Sequence, residues 1–140
     1  MTSPRARYFS LLLLLGPGVV RAAEPLAAAI ALVEARRYPE ARELLEPMVV
    51  ADPRNAAATH YLGRVIVARN DPTALDEGLK HLAAAVQLEP KHAGYQAAYG
   101  AAALQLAGRS NSLSYATKGR DALEKAVALD PTQLNAREGL

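Results

Sequence analysis

The chain has 140 residues, no cysteine, no tryptophan and one phenylalanine, with 16 basic and 14 acidic side chains. No disulfide framework and no thiolate metal site can be built from it. The core has to come from Ala, Leu, Val and Tyr.

The first element is a leader. Arg5 and Arg7 open the chain, an apolar run follows from Tyr8 through Leu15 to Val20, and small residues come next. A charged start, a short apolar stretch and a small-residue site are the pattern of a secretory signal peptide. The expected cut falls after Ala22, which makes residues 1–22 the signal and 23–140 the domain. The apolar stretch is shorter than the roughly 17–25 residues that span a bilayer, so a retained anchor is the second reading. Removing Arg5, Arg7 and Arg21 leaves 13 basic against 14 acidic residues. The basic balance thus belongs to the leader, which removes the case for nucleic acid or an anionic lipid surface. The expected location is periplasmic or secreted.

The rest of the chain is read as helical. Ala, Leu, Glu and Arg are abundant between Pro and Gly breaks, and alternating β-branched runs are missing. Helices are expected near residues 25–37, 39–51, 56–69, 74–88, 92–107 and 116–129, with a seventh from about 133. Pro39 and Glu40 suit a first helical turn. Asn55 is expected to cap the third helix, and Thr73 with Asp76 to form a capping box for the fourth. Gly108 is expected to end the fifth in a left-handed conformation. Asp52-Pro53, Glu89-Pro90 and Asp130-Pro131 each stop a helix, because the residue before proline is pushed out of the α region.

Those three prolines mark a repeat. Counting back from each, Ala41, Leu45 and Met48, then Gly78, Leu82 and Ala85, then Gly119, Leu123 and Ala126 keep the same offsets. Each triplet makes one stripe along a helix. In-phase stripes closed by proline indicate stacked helical hairpins. Leu62-Gly63 with Ile66, and Tyr99-Gly100 with Ala103, fall on the first-helix motif of the tetratricopeptide repeat, and Ala28, Ala29 and Leu32 match it more thinly. On these residues the chain resembles a tetratricopeptide repeat protein of the exported bacterial type. The family's Trp place holds Pro25, Thr59 and Gln96 instead. Tyr38 fits its aromatic at the turn. Extra residues fall in "RNDPTALDE" and "GRSNSLSYATKG", as turn or as added helical turns.

The resemblance implies an all-α, right-handed superhelix of three hairpins, in units of about 24–55, 56–93 and 94–131, with an incomplete fourth from 132. It implies a non-enzymatic interaction module whose first helices line a concave surface. By phase the lining is Leu26, Ile30 and Val33, then His60, Arg64 and Val67, then Ala97, Ala101 and Leu104. Some family members grip an acidic peptide terminus with Lys, Arg and Asn in these places. Here only His60 and Arg64 are polar, so the expected groove is mostly apolar and the expected partner a protein, as a peptide or helix.

Little in the chain suggests chemistry. His60, His81 and His92 do not pair at helical spacing, so surface or groove histidines are expected rather than a metal site. Ser110, Ser112 and Ser114 lie in a polar stretch with no nucleophile elbow, and are read as a solvated turn. Glu40, Glu43 and Glu46 are read as a solvated face. Tyr61, Tyr95 and Tyr99 are expected to pack between hairpins rather than stack on a ligand. No catalytic residue, cofactor or metal is expected. The alternative is an exported enzyme or small-ligand binder using His60, Arg64 and the tyrosines. Beyond Pro131 the chain runs out about two turns into the next helix, which should fray. That would leave an apolar flank at Leu123, Ala126 and Val127, to be covered by further repeats, a partner or a second copy.

Overall fold

The computed structural model describes residues 20–132. Among them the chain forms α1 (Val20–Glu34), α2 (Tyr38–Ala51), α3 (Ala56–Val67), α4 (Pro72–Leu88), α5 (Ala93–Ser110) and α6 (Leu113–Leu129), with no strand. The helices pair in chain order into three hairpins. The odd-numbered helices touch one another, α1 with α3 and α3 with α5, and the even-numbered helices make no comparable contact. The stack therefore curves, with the odd helices on the inside.

The stripes fall on the seams. Ala41, Leu45, Leu82, Ala85, Leu123 and Ala126 are all buried, and Met48 is half-buried against the first core cluster. In the second and third hairpins, glycines bring backbone to backbone. A Cβ at Gly78 would lie 2.9 Å from the Gly63 carbonyl and 2.5 Å from Val67 Cγ2. One at Gly119 would lie 2.9 Å from the Gly100 carbonyl. In the first hairpin the same two places hold Ala29 and Ala41, both fully buried.

Several helix ends differ from the sequence reading. Asn55 caps α3, its side chain accepting from Ala58 N–H at 3.0 Å. The cap of α4 is Asp71, accepting from Ala74 N–H at 2.8 Å, with Pro72 in the first turn; Thr73 does not serve. Asp71 is preferred because Pro72 has no N–H to offer and already carries a helical φ. The left-handed residue after α5 is Asn111 (φ 52°), and Gly108 lies inside the helix. Each hairpin turn uses one such residue, Arg36 (φ 58°), Asn70 (φ 55°) and Asn111. The seven extra residues of the third unit are thus added helix on α5 and α6, not a loop. Ser110 closes α5, Ser112 caps α6 and Ser114 is exposed in its first turn.

The flank expected at the end of the stack is not bare. Leu123 and Ala126 face α5 and are sealed, leaving half-buried Val127 and Leu129 at 42% exposure. Residue Arg120 stands where the preceding unit has buried Leu79. The seventh helix, and the fraying expected of residues 134–140, lie outside the described residues, as does most of the leader.

Candidate functional site

The inner helices are held at their N-termini by polar side chains that the repeat pattern would have as tryptophan. Thr59 Oγ1 donates to the Asn55 carbonyl at 2.9 Å, and Gln96 Nε2 donates to the Pro90 carbonyl at 2.9 Å. Both side chains are buried and satisfied. They fix the start of α3 and α5, and with it the side chains that face each other across the concave surface.

That surface holds an open cavity of about 1020 Å³. Ile30, His60, Arg64, Val67, Ala97 and Ala101 line it, six of the nine residues expected to. The other three turn elsewhere. Leu26 and Val33 belong to the first core cluster, and Leu104 packs with Leu123 and Ala126. Val33 and Leu104 are each the last member of a triplet, near the C-terminal end of an inner helix. There the helix leans on its hairpin partner: Leu104 Cγ fills the space over Gly119, as Val67 Cγ2 does over Gly78.

The cavity is also more polar and more aromatic than the phase argument implied. Tyr61, Asn70, His92, Tyr95 and Gln105 join the lining. The reason is width. A triplet at i, i+4 and i+7 follows one edge of the inner face, and residues one place over, such as Tyr61 beside His60 and Ala98 beside Ala97, complete the arc.

Three rings are stacked at one end. Tyr95 lies against His92 with centroids 3.6 Å apart and planes 12° off parallel, and against His60 with centroids 4.6 Å apart. Tyr61 meets His60 edge-on at 5.1 Å, and the Arg64 guanidinium sits 5.4 Å from the Tyr61 ring centre. His92 doubles as the cap of α5, its Nδ1 accepting from Tyr95 N–H at 3.2 Å. The stack therefore joins the start of α5 to the middle of α3. Of the tyrosines, Tyr61 and Tyr95 line the cavity and Tyr99 packs against the second core cluster.

His60 is 6% exposed, and its Nδ1 has no hydrogen-bond partner. Burial, reinforced by the charge of Arg64 and by His92, pushes its pKa down to about 3, so the ring is neutral near pH 7. Burial likewise raises the pKa values of Tyr95 and Tyr99. His81 is half-buried and does not line this cavity. Among the described residues no group of three or more His, Cys, Asp or Glu is placed to hold a metal ion.

No model of a protein family matches the chain, and no curated protein matches it by sequence. Solved structures do match by shape. One is the first TPR of Spaghetti (RPAP3) bound to the HSP90 peptide SRMEEVD, at TM-score 0.67 and 16% identity over 81% of this chain and 82% of that one. Another is the Yersinia enterocolitica type III secretion chaperone SycD in complex with a peptide of the translocator YopD, at TM-score 0.64 and 14% identity over 82% and 80%. A third is the Sgt2 TPR domain from Aspergillus fumigatus, at TM-score 0.69 and 15% identity over 89% and 80%. The fold is therefore that of the tetratricopeptide repeats, an all-α right-handed superhelix of stacked hairpins, here three in number among the described residues.

Proposed function

We propose that this chain is a non-enzymatic adaptor of the bacterial cell envelope, which holds a peptide or helix of a partner protein in the groove between α3 and α5. The observation that carries this reading is the cavity itself. It is open, draws its lining from all three hairpins, and includes side chains at the starts of α3 and α5, which Asn55 and His92 cap. RPAP3 and SycD, which share the fold, were each solved with a peptide bound. A catalytic reading finds less support. His60 is the most buried histidine of the groove, and a ring kept neutral down to about pH 3 is a poor proton carrier near neutrality. The envelope assignment rests on the leader pattern in residues 1–22, and no described helix is long and apolar enough to cross a membrane. A cut after Ala22 would fall in the first turn of α1 and leave the rest of that helix with the domain.

Site-specific photocrosslinking in cells tests the reading. A crosslinking residue at Ala101, exposed in the groove, is expected to capture a partner in the periplasmic fraction, and one at Glu124, exposed on α6, is not. Capture from Glu124 alone would move recognition to the outer face. N-terminal sequencing of the mature protein is expected to begin at Ala23; an intact Met1 start would end the export proposal.

A further inference from the structure

Resting on that peptide-binding reading, a more specific property follows from the charges of the groove. Arg64 is the only lysine or arginine lining the cavity, and no aspartate or glutamate lines it. Among the described residues Arg64, like Arg54 and Lys91, has no carboxylate partner, but it is the one such cation that lines the cavity. Its contact instead is the face of Tyr61 at 5.4 Å, which positions the guanidinium and leaves its charge uncompensated. Glu89 is an acid close enough to act on the rim of this region. Its charge is felt by Tyr95, and it borders the neighbouring hollow beside His92. Along α3 the lining runs from Ala57 to Ala68, about 16 Å, with Arg64 between those limits. Opposite stand Ala98 and Ala101, whose short side chains leave the cavity its volume.

We propose that the groove recognises a peptide by one acidic side chain seated on the Arg64 guanidinium and by a bulky apolar neighbour lying on the Ala98–Ala101 floor. A charge-assisted hydrogen bond is about twice as strong as one between neutral groups. The same uncompensated cation repels basic segments. Because lining continues on both sides of Arg64, the carboxylate belongs to a residue within the segment rather than to a chain end.

The test is selection from a library of random twelve-residue segments, each tethered at both ends between folded flanks, on the purified protein and its Arg64→Glu and Arg64→Gln variants. Arg64 is exposed, so both variants are expected to keep the helical circular dichroism of the parent. Wild type is expected to enrich Asp or Glu at one position next to a large apolar residue, and Arg64→Glu to replace that acid with Lys or Arg. Changing the acid to its amide in a selected peptide should weaken binding to wild type about tenfold, and binding to Arg64→Gln less than about twofold. Peptides that lack an acidic position but lose binding on Ala101→Glu would overturn this proposal and leave the groove reading standing. Selected peptides indifferent to Ala101→Glu would overturn both.

Discussion

Gly63 and Arg64 are neighbours on α3, yet they face opposite conditions. At Gly63 an added Cβ would lie 2.8 Å from Leu82 Cγ, in a seam with no room for a methyl group. At Arg64 the side chain opens onto a cavity of about 1020 Å³. One helix thus serves two surfaces. The seam to its hairpin partner is dry and dominated by shape. The groove across hairpins is open, lined largely by alanines, and holds His60 Nδ1, a buried polar atom with no hydrogen-bond partner. The seam makes the fold, and its residues tolerate little. The exposed groove residues, such as Arg64 and Ala101, lie outside the buried core and carry less of the stability. His60 stands at the boundary, buried as deeply as a seam residue but polar and set in the groove wall.

Substitutions should separate the two surfaces. The largest effect is expected for Leu82→Asp, which puts a charge in a seam where Leu82 is 1% exposed. About 3–5 kcal/mol of stability should be lost, read as a fall in the urea midpoint. An almost unchanged midpoint would put the seam on another face. Gly78→Ala should cost about 1–3 kcal/mol, because the new methyl meets the Gly63 carbonyl, a backbone atom that cannot simply rotate away.

The boundary residue should show itself through pH. The folded His60 pKa is lowered to about 3 from an ordinary value of 6.5, by burial first and then by Arg64 and His92. As pH falls below 6.5 the unfolded chain takes up a proton there and the folded chain does not. Stability should therefore be full above pH 6.5 and decline toward pH 3, by about 2 kcal/mol between pH 6.5 and pH 5. Urea titrations at several pH values should show this slope in wild type and lose His60's share of it in His60→Phe. Equal slopes in the two proteins would mean that the ring takes up its proton over the same pH range in the folded and unfolded chain. On the groove side, Ala101→Glu should change stability by less than about 0.5 kcal/mol while abolishing partner capture. A stability loss like that of the seam variants would erase the distinction. At the turn a small gain is expected: Arg36→Gly should add about 0.5–1 kcal/mol, since glycine adopts φ 58° without strain.

The stripe of Ala41, Leu45 and Met48 and its two later copies was legible in the sequence, because burial on a helix obeys a fixed period and the closing prolines mark its phase. From this followed the helix order and the hairpins, and the family resemblance that the same residues carry implied the superhelix. Cap details were less legible. Thr73 and Asp71 both suit an N-cap, and only the placement of Pro72 in the first helical turn selects Asp71. The extra residues of the third unit could be read as turn or helix, and the left-handed Asn111 shows where the helix stops.

The groove was legible by half. The resemblance put the first helix of each hairpin on the concave side, and period then picked out Ile30, His60, Arg64, Val67, Ala97 and Ala101 on its inner face. Period could not say that Val33 and Leu104 turn into seams, since that depends on where two helices cross and which glycine leaves a gap. Nor could it bring His92, at the end of one unit, onto Tyr95 and so onto His60 more than thirty residues earlier. Local sequence fixes the direction of a side chain relative to its own helix. The distance between rings on different helices, and the burial that keeps His60 neutral, are set only when the hairpins stack.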